Sequence, residues 1–294
     1  MSDGRTVVGF DGSPSAWRAL DWAVQRVSRR GGTLDVVAAL DTRLGAAVFG
    51  PHVEVTTGLE LELRQAEAHV RELDPGVRAE FRWVDGTPAG ALLRAADGAA
   101  LLVVGTDRRT DGTGARIGSL PLRVAAKAEC TVAVIPDAPE GERNVVVVGV
   151  DSSPFGRSAL ALAATEASWL GASIEAVHAW DVPEIFHRAL DEEQNVDPAY
   201  LARQAAVIPE AIEEVPTARA VPITPVVVRQ NPAAALIERG RGAAVLVVGT
   251  RGRGRFTAAV LGSVSHDVLL NVPCPVLVTP KEYSYVLPGD AEEI

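Results

Sequence analysis

Val7-Val8-Gly9-Phe10-Asp11-Gly12-Ser13-Pro14 returns as Val147-Val148-Gly149-Val150-Asp151-Ser152-Ser153-Pro154, an offset of 140 residues. Farther along, Leu102-Val103-Val104-Gly105-Thr106 returns as Leu246-Val247-Val248-Gly249-Thr250, an offset of 144. Pro88 and Pro232 share the second offset, as do Gly118-Ser119 and Gly262-Ser263, and Cys130 and Cys274. The chain therefore carries one unit twice. The second copy has gained four residues between Asp181 and Pro232, and the polar stretch 184–198 is where they fall most easily.

Within each copy short β-branched runs alternate with helical patterns, the signature of parallel strands joined by crossover helices. Strands are expected over 6–10, 34–40, 77–84, 101–104 and 132–135, and again over 145–150, 173–180, 221–228, 245–248 and 276–278. Runs that are apolar at consecutive positions, such as Leu101-Leu102-Val103-Val104, suit strands covered on both faces. Ala16, Ala19, Leu20, Ala23, Val24 and Val27 form a stripe at helical spacing, repeated by Gly156, Ala159, Leu160, Ala163, Ala164 and Ala167. Ser13-Pro14 and Ser153-Pro154 supply an N-cap followed by proline in the first turn. A second helix in each copy follows, with Pro209 expected to kink the one in the second copy. The fold class is thus α/β, with two tandem doubly wound, Rossmann-like domains over 1–138 and 144–281 and an acidic tail over 282–294. Each domain is expected to hold about five parallel strands in the order 3-2-1-4-5, flanked by helices.

With 47% apolar and 22% charged residues over 294 positions, the composition is that of a folded globular chain. At roughly 150 residues per domain the length agrees with two domains. A net charge of −10 repels a phosphate backbone and 5% aromatics leaves few rings for stacking bases, so nucleic acid is not an expected partner. No apolar run approaches the ~20 residues of a membrane span, so no membrane association is expected. Residues 1–6 show no basic stretch leading into an apolar one, so a cytoplasmic location is expected. Cys130 and Cys274 lack any Cys-x-x-Cys spacing and read as buried small hydrophobes.

In an open parallel sheet, ligands bind beyond the carboxyl ends of the strands where the winding reverses, here between strands one and four. Strand one runs into Asp11 or Asp151, and strand four into Gly105 or Gly249 and a Gly-rich loop. In the second copy that loop spans 249–265, and a helix is expected near Gly262-Ser263. Glycines admit close backbone approach or positive φ, and the helix start points N–H groups at an anion; Arg251, Arg253 and Arg255 add positive charge. The residues alone leave a second reading open, in which the glycines make a turn, Ser263 caps a helix and the arginines are solvated. Asp11 and Asp151 are likewise open to a turn-making role.

The loop resembles the Gly-x2-Gly-x9-Gly-[Ser/Thr] pattern of the ATP-binding universal stress proteins: Gly249, Gly252, nine residues, then Gly262-Ser263. The Val-Gly-x-Asp start, the Pro232 segment and the ending Val272-Pro273-Cys274-Pro275-Val276-Leu277-Val278 are similar to that family as well. The resemblance implies an adenine nucleotide as partner, ATP with Mg²⁺ able to accompany it, and a regulatory stress-response role rather than catalysis, slow ATP hydrolysis being left open. It places the nucleotide on Asp151, Ala179, Gly249, Gly252, Arg253, Gly262, Ser263, Val264 and Ser265. The matching first-copy residues are Asp11, Ala39, Gly105, Gly118 and Ser119. It also implies that the domains pair through 132–135 and 276–278 as a pseudo-dimer within the chain, and leaves open a homodimer through another face.

The first copy departs from the pattern where Arg108 replaces the second glycine and Pro121 stands in place of Ser265. Asp107 and Asp111 bring negative charge to the same loop. ATP is therefore expected mainly in the second domain. Connections 41–58 and 181–198 are long enough to act as lids, with Phe186 and His187 as candidates to close over adenine. Other nucleotide chemistries lack their signatures: no Gly-Lys pair for a P-loop, no third glycine for a dinucleotide fingerprint, and no Ser-Gly-Gly-x-Asp-Ser or His-x-Gly-His of adenylating enzymes. The five histidines show no metal spacing, and His178 reads as packed near a strand end. An interaction protein that uses the fold without nucleotide is the remaining alternative.

Overall fold

β-branched runs closed by Gly become strands because their side chains pack on both faces of a covered sheet. The computed structural model describes residues 4–41, 56–106, 119–137, 143–181, 196–252 and 260–280, and the backbone of 108–110 and 115–117. The chain divides into two units, Met1–Ala138 and Pro139–Ile294. In unit 1 the order is β1 (Arg5–Gly9), α1 (Pro14–Arg30), β2 (Thr33–Leu40), α2 (Thr56–Leu73), β3 (Ala79–Asp85), α3 (Pro88–Ala95) and β4 (Leu101–Gly105). A hairpin of β5 (Arg108–Thr110) and β6 (Ala115–Ile117), helix α4 (Ser119–Lys127) and β7 (Thr131–Ile135) complete it. Unit 2 runs β8 (Arg143–Gly149), α5 (Pro154–Leu170), β9 (Ser173–Trp180), α6 (Pro198–Glu214), a 3-10 turn (Pro216–Ala220) and β10 (Ile223–Arg229). Then come α7 (Pro232–Gly240), β11 (Ala243–Gly249), α8 (Ser263–Leu270) and β12 (Val276–Thr279).

Each unit is a parallel sheet, β3-β2-β1-β4-β7 in the first and β10-β9-β8-β11-β12 in the second, the expected 3-2-1-4-5 order. Val8 lies opposite Val36 on β2 and Val103 on β4, and Val148 opposite Ala176 on β9 and Val247 on β11. These central strands are fully buried, with Val7, Val8, Val147 and Val148 at 0% exposure. Helix α1 buries Ala16, Ala19, Leu20, Ala23, Val24 and Val27, and α5 buries the corresponding stripe from Gly156 to Ala167. Ser13 accepts from the Ala16 N–H at 3.2 Å and Ser153 from the Gly156 N–H at 3.1 Å, so both helices start on the caps that the sequence announces.

The strands lie within two residues of their expected bounds, and the expected place of the extra residues is corrected in part. Residues 74–78 join α2 to β3, whereas residues 215–222 join α6 to β10. The four-residue gain is therefore divided: this connection is three residues longer, with the 3-10 turn Pro216–Ala220 in it, the connection that contains 184–197 is two longer, and the helix between them is one shorter. Helix α6 contains Pro209, where a kink is expected, and still runs to Glu214, because its apolar face, with Val207, Ile208 and Ala211 buried, outweighs one missing N–H. The unit 1 loop contains a short antiparallel ladder that the sequence did not announce, with Arg108 opposite Ile117 and Thr110 opposite Ala115.

At the sheet end away from the helix caps, each unit holds one acid on its second strand, buried in the case of Asp35 and half-buried in the case of Glu175. Asp35 accepts from Arg82 Nε at 3.0 Å and Nη2 at 2.8 Å, and Arg82 is held even more firmly protonated by that hydrogen bond. Glu175 accepts from Arg143 at 3.0 Å and Arg239 at 2.6 Å. A buried carboxylate needs such partners to offset lost hydration, which makes these clusters structural.

Candidate nucleotide site

The turn after β8, the end of β9, the end of β11 and the start of α8 converge at the C-terminal end of the unit 2 sheet. They enclose a cavity of about 240 Å³ lined by Asp151, Ala179, Gly249, Gly252, Gly262, Ser263, Val264 and Ser265. Those are eight of the nine residues placed on the nucleotide from sequence; the ninth, Arg253, lies outside the described residues. His178, Arg251, Pro232, Leu236 and Gly156 line it as well.

Asp151 does what a turn residue does: its Oδ1 accepts from the Ser153 N–H at 3.1 Å and the Ser153 hydroxyl at 2.5 Å. Its Oδ2 points the other way, 2.6 Å from where a Cβ on Gly252 would stand. One carboxylate thus holds the turn and faces the loop, so the two readings open at the sequence level are compatible. Gly156, at the first turn of α5, is equally constrained, because a Cβ there would lie 2.6 Å from the Asp151 carbonyl oxygen.

Gly249, Gly252 and Gly262 are absent from the positive-φ glycines, so close approach is the reason for glycine at each. A Cβ on Gly249 would meet Phe155 Cβ at 2.8 Å, which makes this glycine a packing contact between β11 and α5. A Cβ on Gly262 would meet Arg251 Cα at 3.2 Å. The Gly262 N–H donates to Thr250 O at 2.9 Å and Arg251 Nε donates to Val260 O at 3.2 Å, which fastens the two stems of the loop together. The Arg251 guanidinium lies 5.6 Å from the Phe155 ring centre. Arg255, like Arg253, is outside the described residues.

Helix α8 begins on Gly262 with no side chain capping it, and its first residues Ser263 and Val264 line the cavity. Backbone N–H groups at such a start are unpaired within the helix and carry the positive end of its dipole, which suits a phosphate oxygen. Ser265 has a different role from the one expected: its buried hydroxyl donates to Gly249 O at 2.5 Å, tying α8 to the end of β11. Its proton is therefore committed to the protein.

Sequence reasoning read His178 as a packed residue, and it is buried. Its Nδ1 stands 2.8 Å from Val150 O and its Nε2 3.0 Å from Gln204 Oε1. Val150 O can only accept, so Nδ1 donates to it, and Nε2 then accepts from the Gln204 amide turned to present its NH2, which fixes the ring beside the residue that precedes Asp151. The partner on α6 left no signal in the sequence, because Gln204 lies in a segment whose two copies do not match. Gly156 did leave one: the first copy has Ala16 in its place.

Unit 1 has a cavity of about 280 Å³ in the same place, lined by Asp11, Ala39 and Gly105 among the expected residues, together with Phe10, Ala16, Leu92 and Leu120. Ser119 is exposed at the start of α4 and is not among the lining residues, whereas Leu120, the counterpart of Val264, is. Gly118 is outside the described residues, as are Asp107, Asp111, Phe186, His187 and the tail. Asp11 Oδ1 accepts from the Ser13 N–H at 3.0 Å and hydroxyl at 2.5 Å, the same turn as in unit 2. A Cβ on Gly105 would lie 2.0 Å from Ser15 O, so this glycine too serves strand-to-helix packing. An acid that sequence reasoning missed sits nearby: Glu62 Oε2 is 2.9 Å from where a Cβ on Gly12 would stand, and Gly12 has φ +74°.

Burial pushes the Cys130 thiol up to about 11 and the Cys274 thiol up to about 12, consistent with packed, unreactive cysteines. Among the described residues no group of three or more His, Cys, Asp or Glu stands together as a metal site, and no helix is long and apolar enough to cross a membrane.

The universal stress protein family model matches residues 4–136 and 142–280, that is, both units. Universal stress protein Rv2005c of Mycobacterium tuberculosis is 32% identical over 291 aligned residues, covering 92% of this chain and 95% of the relative. Universal stress protein Rv2623 of the same organism is 30% identical, covering 95% of this chain and 98% of the relative. Among solved structures, a universal stress protein from Archaeoglobus fulgidus superposes with a TM-score of 0.67 at 17% identity, over 96% of this chain and 100% of that one, a likeness of fold. The duplicated strand-turn-helix frame, the paired glycine loops and these matches lead to one conclusion: the chain belongs to the universal stress protein family, with two copies of the family domain in tandem.

Proposed function

We propose that the chain is an ATP-binding regulatory protein of the stress-response type, acting in the cytoplasm, which holds the nucleotide in the unit 2 cavity and catalyses no reaction. The observation that supports this best is the convergence of Asp151, Ala179, Gly252 and the uncapped start of α8 on one cavity. Adenine and ribose lie against the Ala179, Pro232 and Leu236 side, and the phosphates meet the Ser263 and Val264 N–H groups. Arg251 is the cationic side chain among the described lining residues and adds countercharge. Mg²⁺ enters with the phosphates, coordinated by them and by water.

The test is chromatographic and calorimetric. Protein purified without added nucleotide is denatured, and the supernatant is examined for adenine nucleotide near 260 nm; ATP is then titrated into nucleotide-free protein. Carry-over of adenine nucleotide, or saturable ATP binding with one equivalent per chain, supports the reading. Absence of both overturns it, and sustained ADP production at a constant rate would replace the regulatory role with an enzymatic one.

A further inference from the structure

We propose that the unit 1 cavity is a separate site for an uncharged purine nucleoside, one that rejects the phosphorylated forms taken by unit 2. The inference rests on reading the unit 2 cavity as an adenine-nucleotide site, and it comes from comparing the two cavities wall by wall.

The base side is alike in both apart from His178, which lines the unit 2 cavity and has Ala38 as its counterpart in unit 1. Val37 and Ala39 at the end of β2 stand where Val177 and Ala179 stand at the end of β9. Pro88 and Leu92 of α3 repeat Pro232 and Leu236 of α7. Asp11 keeps the carboxylate of Asp151 and the same hydrogen bonds to its turn. The Val, Ala, Pro and Leu positions that would pack a planar, neutral group in unit 2 are thus all present in unit 1.

The anion side keeps Gly105, Gly118 and Ser119 but differs at three positions. Arg108, in place of Gly252, opens strand β5 of a hairpin. Pro121 replaces Ser265, so the third position of α4 has no N–H to offer an oxyanion. Gly12 replaces Ser152, and the Glu62 carboxylate of α2 reaches over it, 2.9 Å from the Cβ position. Asp11 lines the cavity and Glu62, outside the lining, adds a second carboxylate beside the β1–α1 turn, while no Lys or Arg is among the described lining residues. A triphosphate meets like charge there, whereas the hydroxyls of a ribose can donate to Asp11.

The experiment uses the full chain saturated with ATP, into which adenosine is titrated by calorimetry or equilibrium dialysis. One further equivalent of adenosine is expected to bind, with ATP at least about tenfold weaker than adenosine at this second site. Binding of that equivalent is lost in Ala39→Phe and separately in Leu120→Trp, two fillers placed on half-buried residues at opposite walls, with folding checked by circular dichroism and melting. Adenosine binding unaffected by either folded filler, no adenosine uptake by the ATP-saturated chain, or two equivalents of ATP overturns the proposal. Failure of the wild-type chain to bind any ATP is read from the first titration alone, and overturns the unit 2 reading instead.

Discussion

Asp151 Oδ2 stands 2.6 Å from the point that a Cβ on Gly252 would occupy, although 101 residues of sequence separate the two. The loop after β11 approaches the turn after β8 as closely as backbone allows. Any side chain at 252 must displace either the loop or the carboxylate, and Asp151 is held in place by Ser153. Gly252→Arg is therefore expected to weaken ATP binding at least tenfold, about 1.4 kcal/mol, with a smaller loss in Gly252→Ala. Isothermal titration of the two variants against wild type checks this, and equal affinities would remove Gly252 from the site.

Ser265 is expected to matter for stability more than for nucleotide. Ser265→Ala leaves the Gly249 carbonyl without its hydroxyl partner in a buried position and should cost about 1–3 kcal/mol. Denaturant unfolding measures the loss, and ATP affinity of the folded variant should change less than in Gly252→Arg.

Gly105 and Gly249 occupy matching positions with unequal tolerance. A Cβ on Gly105 would lie 2.0 Å from the backbone oxygen of Ser15, whereas on Gly249 the nearest atom is Phe155 Cβ at 2.8 Å. Gly105→Ala is expected to destabilise by about 3 kcal/mol or more and Gly249→Ala by about 1–3 kcal/mol, since overpacking against backbone relaxes least. Thermal melting in the absence of ligand orders the two variants.

Unit 1 should gain what unit 2 has when its anion side is rebuilt. The combined substitution Arg108→Gly, Glu62→Gln and Pro121→Ser removes a carboxylate beside Gly12 and restores the N–H and the hydroxyl at 121. A second equivalent of ATP per chain is the expected outcome, and the stoichiometry of a titration reads it directly. Glu62→Gln alone should give only a partial gain, because the proline remains.

The thiols make stability depend on alkaline pH. Burial raises Cys130 from its ordinary 9.0 to about 11 and Cys274 to about 12 in the folded chain. Between those values and 9 the unfolded chain has released protons that the folded chain still holds, so stability falls as pH rises through that window and is unaffected by these groups below it. Unfolding midpoints measured from pH 8 to 11 should decline, with Cys274→Ala declining less than wild type. Alkylation of native protein at pH 8 should be slow at both cysteines and slower at buried Cys274 than at half-buried Cys130.

The repeated Val-Gly-x-Asp start and the glycine loop of the second copy were enough to bring eight residues of one cavity together on paper. They succeed because each motif sits at a strand end, and a doubly wound sheet places the ends of strands one and four side by side. In unit 1 Leu120 lines the cavity where its counterpart Val264 does in unit 2, while Ser119 stands exposed beside it. Glu62 and Gln204 were invisible because they reach the site from the second helix of each unit, where the two copies share no motif.

By itself the sequence determined that there are two α/β units of parallel strands with caps at Ser13 and Ser153, since hydrophobic period, β-branching and capping act between neighbours in the chain. Tertiary structure alone decided what each polar group does with its atoms. It sends the Ser265 proton to Gly249, sets Asp151 Oδ2 against Gly252, makes close approach rather than positive φ the need for the loop glycines, and brings Glu62 over Gly12. These are distances of a few ångströms between residues tens to a hundred positions apart, and only the packing of helices onto the sheet brings such residues together.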